Sequence, residues 1–172
     1  MRKYLLILPL LSVLFFSAPI STASAQESPA PASNYGVGRV GLGLILGDPN
    51  GIVGKYRFNN LMAIDGVLGF SIFGGGHLYA RVDVLWQFNI GQWSAGALDW
   101  YVGVGPQIGV FYDSHWGHRD SGLALGARAP IGISWFFSGA PVDLFLEASL
   151  GLWFFDHVDF DFGAAIGARY WF

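Results

Sequence analysis

Bulky apolar side chains occupy alternate positions in eight segments between residues 35 and 172. In segment 77–88 the alternating series is Leu78, Ala80, Val82, Val84, Trp86 and Phe88. A period of two is typical of a β-strand with two different faces. The other predicted strands are 37–46, 52–58, 61–72, 100–112, 123–136, 142–153 and 161–172, with turn residues between them. The sequence therefore predicts an all-β fold of eight antiparallel strands.

The composition requires these strands to bury one face in lipid or against each other. Hydrophobic residues make up 53% of the chain and charged residues only 12%, about half of the charged fraction usual in globular proteins. Beyond the N-terminus there is no uninterrupted apolar run of about 18 residues, the length that a transmembrane helix needs. The remaining way to satisfy every backbone group in hydrocarbon is a closed β-barrel.

The first 25 residues have the three parts of a secretory signal peptide. Arg2 and Lys3 precede an apolar core, and Ala23-Ser24-Ala25 forms a small-x-small cleavage site. We predict cleavage after Ala25. Residues 26–34 contain Pro29 and Pro31 and are predicted to be a flexible leader, which leaves residues 35–172 as one transmembrane β-barrel.

The volume available inside an eight-stranded barrel decides which face points inward. Such a barrel is just wide enough for side chains to fill it. The bulky apolar positions are too large for that space, whereas the opposite positions carry mainly Gly, Ala, Ser and single charges. We therefore predict an up-and-down transmembrane barrel with apolar residues facing lipid and a polar, side-chain-filled lumen.

The predicted inward positions carry most of the charged residues of the barrel. The predicted lumenal network consists of Arg39, Lys55, Arg57, Asp65, Arg81, Asp83, Arg128, Asp143, Glu147, Asp161 and Arg169. Opposite charges in one narrow lumen should form ion pairs and hydrogen bonds. This predicts a plugged barrel rather than an open pore.

Three further expectations concern local structure. Aromatic girdles are predicted at both ends, with Trp86, Phe88, Trp100, Trp135, Tyr170 and Phe172 in one and Phe70, Tyr112, Phe154 and Phe160 in the other. Residues 89–99 read as a polar connection, and residues 155–159 as a turn. Pro106 and Pro130 lie within strand segments, where we expect bulges or local irregularity.

Outside the lumen, the residues that could take part in catalysis or metal binding are mainly histidines. His115, His118 and Asp120 lie in the most polar loop, and His77 and His157 lie near other loops, so these residues are the candidate ligands of a metal site. A lipid-modifying enzyme could recruit His77, Ser114, His157 and Asp159. A solvated polar loop explains the same residues more simply, because no tight spacing fixes a third ligand. We assign no catalytic, metal-binding or cofactor-binding residue and expect no cofactor.

Some function classes are excluded or disfavoured by composition. The chain has no cysteine, which excludes disulfides, thiol catalysis and cysteine-ligated zinc. The basic residues are scattered singly rather than clustered, so no nucleic-acid partner is expected.

The C-terminal strand carries a recognisable signature. Gly167, Tyr170 and the terminal Phe172 resemble the closing-strand motif of bacterial outer-membrane β-barrels. The whole region 35–172 resembles small eight-stranded barrels of the OmpX and OmpA membrane-domain type. Residues 41–51 and 141–147 are similar to a narrower group of short outer-membrane barrels with no assigned chemistry. One departure is that the connections here are short on both sides, unlike the long extracellular loops of OmpX-type barrels.

The resemblance implies a location and partners. We expect a multi-pass barrel in a Gram-negative outer membrane, in contact with its lipid. In the family, the barrel-assembly machinery reads the last strand, which implies that role for Gly167, Tyr170 and Phe172. The expected function is structural support of membrane integrity without turnover. A lipid A or phospholipid-modifying enzyme at the barrel rim and a narrow charge-gated pore are the alternatives, and the oligomeric state is left open.

Overall fold

The computed structural model describes residues 38–71, 77–111, 122–155 and 157–172. Its strands are β1 (Val40–Gly47), β2 (Asn50–Arg57), β3 (Met62–Ser71), β4 (His77–Trp93), β5 (Gly96–Phe111), β6 (Gly122–Phe137), β7 (Val142–Phe155) and β8 (His157–Trp171). Among these residues, no helix is long and apolar enough to cross a membrane.

The eight strands close into one barrel in sequence order. Every neighbouring pair is antiparallel, and β1 pairs with β8 from Gly41 opposite Trp171 to Gly47 opposite Ala165. The predicted fold class, an all-β barrel of eight antiparallel strands, is confirmed.

The register defines the tilt of the strands. Paired residues can be followed around the barrel from Arg169 through Gly43, Val53, Val67, Arg81, Gln107, Gly126 and Trp153 to Asp159. The path returns to β8 ten residues from its start. With a rise of about 3.3 Å per residue and a strand spacing of about 4.8 Å, this shear corresponds to a tilt of about 40°.

Burial alternates along each strand as the sequence pattern predicts. On β8 the even positions Phe160, Phe162 and Ile166 are 88%, 67% and 56% exposed, whereas Arg169 is 1% exposed. The outward surface is apolar on all eight strands. Such a surface is typical of a barrel that contacts hydrocarbon.

Two predicted connections are strands in the structure. Residues 89–99 do not form a loop, because β4 continues to Trp93 and pairs with β5 down to the Trp93–Gly96 pair. A register shift between Asn89 and Gly91 lets this hairpin continue. Residues 157–159 belong to β8, which pairs with β7 from His157 onward. Turn-forming Asn, Gly and Asp residues concealed the strand character of both segments.

The two prolines disturb pairing without shifting the register. The β4–β5 ladder lacks its pairs at Pro106, and the β5–β6 ladder lacks its pairs at Pro130, while the flanking pairs keep one register. A proline has no N–H to donate. The expected irregularity is therefore a local gap in each ladder, and the bulge lies instead at residues 89–91.

The two ends of the barrel can be named by the connections that lie at each of them. The end with residues 58–61, 94–95, 138–141 and the C-terminal residue is called the terminal end, and the opposite end is called the far end. Trp100, Tyr170 and Phe172 are exposed near the terminal end. Phe154 and Phe160 are exposed near the far end, which gives two aromatic belts. Tyr112 of the predicted far-end girdle lies outside the described residues.

Candidate functional site

Among the described residues, five basic and five acidic side chains in the lumen are each at most 6% exposed. They are Lys55, Arg57, Arg81, Arg128 and Arg169, and Asp65, Asp83, Asp99, Asp143 and Glu147. Burying an isolated charge is costly, so buried charges in proteins are normally paired. The equal numbers permit a neutral lumen. Most of the contacts fall into two clusters, which are joined through Asp65, 3.1 Å from Arg169 and 3.8 Å from Arg81.

Glu147 on β7 is the centre of the first cluster. Its Oε1 accepts hydrogen bonds from Arg81 Nη2 on β4 and Arg128 Nη2 on β6, both at 2.7 Å. Its Oε2 accepts from the Tyr101 hydroxyl on β5 at 2.9 Å. One carboxylate therefore links four of the eight strands across the lumen.

The same cluster extends toward the far end. Arg81 also donates to Asp83, and Arg128 Nε lies 3.6 Å from Asp83 Oδ2. The Tyr79 hydroxyl donates to Gln107 Oε1 at 2.7 Å and accepts from Arg128 Nη1 at 3.3 Å. Arg81 Nη1 also lies 3.8 Å from Asp65 Oδ1, so Arg81 has three acidic neighbours and Arg128 has two.

Arg169 on β8 is the centre of the second cluster, nearer the terminal end. Its Nε and Nη2 donate to the two oxygens of Asp143 at 3.1 and 2.7 Å. Its Nη1 donates to Asp65 at 3.1 Å, and its Nη2 also reaches Ser134 Oγ at 3.2 Å. Trp171 Nε1 donates to Asp143 Oδ1 at 2.8 Å. The fork of Arg169 matches the carboxylate geometry, which favours a strong bidentate pair.

Lys55 and Arg57 on β2 are held mainly by aromatic rings. Lys55 Nζ lies 4.8 Å from the ring centroid of Tyr101. Arg57 Cζ lies 4.5 Å from the Phe136 ring centroid and 4.3 Å from the Trp171 ring centroid, so the guanidinium contacts both of these neighbouring rings. Among the described residues, Lys55 Nζ and Arg57 Nε and Nη2 have no hydrogen-bond partner. Buried donors of this kind are typical binding points for ordered water.

Three acidic or basic residues differ from the predicted network. Arg39 is exposed and precedes β1, so it is not part of the buried network, and its side chain reaches solvent at the rim. Asp161 faces inward but is only half-buried. Asp99 is 1% exposed and was missed, because residues 89–99 read as a connection. Extending the inward series of β5 backward from Tyr101 to Asp99 and Ala97 would have found it.

The C-terminal signature residues lie on both faces of β8. Tyr170 and Phe172 point outward, 49% and 67% exposed, with ring centroids 5.0 Å apart. Gly167 faces inward, where an added Cβ would overlap both the ring of Phe145 and the carbonyl oxygen of Leu44. Packing alone therefore requires the glycine, and recognition by the assembly machinery stays a prediction for the three residues.

The histidine candidates fall largely outside the described part of the chain. His115, His118, Asp120 and Ser114 lie outside the described residues, and His77 and His157 are described by their backbone only, at the starts of β4 and β8. Within the described ranges, no three His, Asp or Glu side chains are grouped so that they could hold a metal ion.

A groove on the outward surface crosses β2 to β6. It has a volume of about 550 Å³, and small residues including Gly54, Gly66 and Ala80 line it beside Leu68 and Ile108. The groove is part of the apolar outer surface. Its outward-facing residues include no nucleophile or acid–base pair.

Comparison with known proteins agrees with the observed fold. No protein-family model matches the chain, and no curated protein matches it. Among solved structures, the N-terminal β-barrel domain of Pseudomonas aeruginosa OprF superposes with a TM-score of 0.58 at 15% identity, covering 77% of this chain and 95% of that domain. The chain has the fold of this outer-membrane β-barrel. The Yersinia pestis outer membrane protein Ail superposes with a TM-score of 0.39 at 21% identity, over 77% of this chain and 97% of Ail.

Proposed function

We propose that the protein is an outer-membrane β-barrel that supports membrane integrity without catalytic turnover. The observation that carries this proposal is the lumen, where ten of the described charged side chains are buried. Seven of them, Arg81, Arg128, Arg169, Asp65, Asp83, Asp143 and Glu147, form ion pairs with one another. A channel or a transporter needs a path through the barrel, whereas a structural barrel needs only a stable wall and a lipid-facing surface.

The outer surface supports the membrane location. Outward positions carry Leu, Ile, Val and aromatic residues with exposures of 36–88%. Soluble monomers rarely expose continuous apolar surface on this scale. A transmembrane barrel presents such a band with aromatic belts at both edges, and the likeness to the OprF barrel domain agrees with this location.

The ion pairs argue against a spontaneously open pore. Opening a path beside Glu147 requires separating it from Arg81 or Arg128, both within 2.7 Å. Leaving one member of a buried pair without its partner costs about 3–5 kcal/mol. A state with that cost is populated below about 1%.

Planar-bilayer recording of the refolded protein tests the closed lumen. We expect no steady conductance from the wild type. Steady channels whose conductance changes in Arg81→Gln or Asp83→Asn would instead establish the charge-gated pore. The matched control is Arg39→Gln, which removes an exposed charge outside the lumen.

Complementation tests the structural role against the enzyme. A bacterium lacking the protein should become sensitive to detergents and large antibiotics, and the wild type should restore resistance. A variant with His77, His115 and His157 replaced by Ala should restore it equally. Failure of this folded variant, together with a changed lipid A or phospholipid mass spectrum, would establish a lipid-modifying enzyme.

A further inference from the structure

The barrel wall has a step where its first and last strands meet. β1 spans eight residues and β8 spans fifteen. Pairing between them runs from Gly41–Trp171 to Gly47–Ala165, and one more hydrogen bond joins Asp48 N to Ala164 O at 3.0 Å. Beyond that point β8 continues to His157 with β7 on its other edge. Within the described residues, no strand covers the β1 side of this segment.

The hydrogen-bonding direction of β8 identifies the backbone groups at the step. Phe172 N donates to Val40 O, and Ala164 O accepts from Asp48 N, so the even-numbered residues of β8 face β1. Because the direction alternates along a strand, the N–H and C=O groups of Phe162, Phe160 and Val158 face the uncovered side. Open strand edges do not occur in the hydrocarbon of a membrane. Polar groups must therefore reach this edge.

The apolar surface is also unusually short beside the step. Outward apolar residues on β1 run from Val40 to Leu46, whereas on β8 they run from Val158 to Phe172. At about 3.3 Å per residue and a tilt of about 40°, these series are about 15 Å and about 35 Å tall. A transmembrane barrel usually has an apolar band of about 25 Å. The apolar surface of β1 is therefore about 10 Å shorter than this band, and the missing part is at the far end.

A second copy of the chain does not fit this edge within one membrane. Two identical edges pair antiparallel about a two-fold axis perpendicular to the strands. Two barrels with the same orientation in a membrane are related by an axis along the membrane normal. Since the strands tilt by about 40° from the barrel axis, these two axes do not coincide.

We propose that the bilayer is thinned beside β1 and β2, and that a phospholipid head group occupies the step. Its phosphate and ester oxygens accept hydrogen bonds from the N–H groups of Phe160 and Phe162, and water reaches the free C=O groups. A short apolar surface is known to thin the adjacent bilayer at modest cost. The outward Phe160 and Phe162 side chains, 88% and 67% exposed, then contact the acyl chains at the edge of the thinned region. This inference rests on the proposed membrane location but not on the proposed structural role.

Two outward positions at the same height provide a matched test. With the observed register and a tilt of about 40°, Leu46 on β1 and Ala129 on β6 lie within about 2 Å of each other along the barrel axis. Both side chains are exposed on the outer surface. Because the chain has no cysteine, Leu46→Cys and Ala129→Cys can each carry a single nitroxide.

The labelled proteins are reconstituted in dioleoylphosphatidylcholine vesicles, and collisions with oxygen and with a water-soluble nickel chelate give the depth of each nitroxide. We expect the label at residue 46 to lie about 10 Å closer to the head groups than the label at residue 129. Equal, deep positions for both labels would overturn the thinning. Water exposure of both labels would instead overturn the membrane location itself.

A label at Phe162→Cys tests the head group directly. The nitroxide should broaden the phosphorus NMR signal of nearby lipid more strongly than a label at Ala127→Cys, an outward position of β6 that the same register and tilt place within about 2 Å of Phe162 along the barrel axis. Equal broadening at the two positions would overturn the head-group site. Dipolar coupling between nitroxides of two molecules would also overturn it, because a second copy would then cover the step.

Discussion

Arg81 on β4 and Glu147 on β7 meet across the lumen, with Nη2 donating to Oε1 at 2.7 Å. The two residues are separated by 66 positions in the sequence, and β4 and β7 are not neighbours in the barrel. The pair therefore ties opposite parts of the wall together through the interior. Arg128 shares the same oxygen at 2.7 Å, and the Tyr101 hydroxyl bonds the other oxygen, so Glu147 has three hydrogen-bonding partners on three other strands.

Glu147→Gln should strongly destabilise the barrel. The substitution keeps the side-chain shape but leaves Arg81 and Arg128 with one fewer negative charge between them. Unbalancing a buried ion network of this kind costs about 3–5 kcal/mol. Urea unfolding of the protein refolded in lipid vesicles measures the loss. Arg39→Gln is the control and should change the free energy of unfolding by less than about 0.5 kcal/mol, because Arg39 is exposed. A loss below about 1 kcal/mol in Glu147→Gln would show that the network does not hold the wall.

Gly167→Ala should destabilise the barrel through packing, independently of the assembly machinery. An added methyl at residue 167 overlaps the Phe145 ring, and overpacking typically costs about 1–3 kcal/mol. Refolding of the purified chain into detergent should already be impaired. Phe145→Leu in the same chain should restore it only in part, because the added Cβ also meets the Leu44 carbonyl oxygen. Normal refolding of Gly167→Ala, combined with poor assembly in cells, would mean that the glycine is needed for recognition instead.

The fold followed from the sequence because the two faces of each strand differ in size as well as polarity. The alternation of bulky residues with Gly, Ala and charges, as in 77–88, determines the strand and its inward face together. Arg81 and Asp83 could be assigned to the lumen by parity alone. Their partners could not, because pairing across the lumen depends on the shear, which places Glu147 beside Arg81.

The predictions failed where the residue types or their alternation indicate one structure and the pairing of the strands produces another. Residues 89–99 contain Asn, Gly and Asp, yet β4 and β5 continue through them because each supplies the backbone partners of the other. Arg39 has inward parity, but β1 begins one residue later, so the side chain lies at the rim. The alternation of residues predicts which face of a strand a side chain lies on. A residue beyond the end of the strand can have the inward position and still lie in solvent.

Phe172→Ala should reduce the amount of folded barrel in the outer membrane of cells. Phe172 and Phe162 are both outward phenylalanines of the C-terminal strand region, each 67% exposed, so their truncation should affect lipid contacts similarly. If the terminal residue is read during assembly, only Phe172→Ala should lower the folded amount in cells, while both variants refold equally in detergent. Equal behaviour of the two variants in cells would contradict an assembly role for Phe172.

The mature protein should migrate differently on a gel before and after boiling. A closed barrel with a continuous strand ladder resists unfolding in cold detergent, whereas boiling separates the strands. The protein should be recovered in the outer-membrane fraction, and N-terminal sequencing should begin at Gln26 if cleavage follows Ala25. A soluble periplasmic protein without the mobility shift would contradict the membrane location.

Replacing both members of the central pair should cost less than replacing one. In Arg81→Met with Glu147→Leu, one positive and one negative charge leave together, so the buried charges among the described residues stay equal in number. Arg128 retains Asp83, whose Oδ2 lies 3.6 Å from its Nε. Apolar replacements of a buried pair are often close to neutral, whereas loss of one partner is strongly destabilising. The double variant should therefore recover at least about 2 kcal/mol relative to Glu147→Leu alone, measured by urea unfolding in vesicles. If the two losses simply add, the pair is not energetically coupled, and the stability of the wall comes from the strand ladder rather than from the charges inside it.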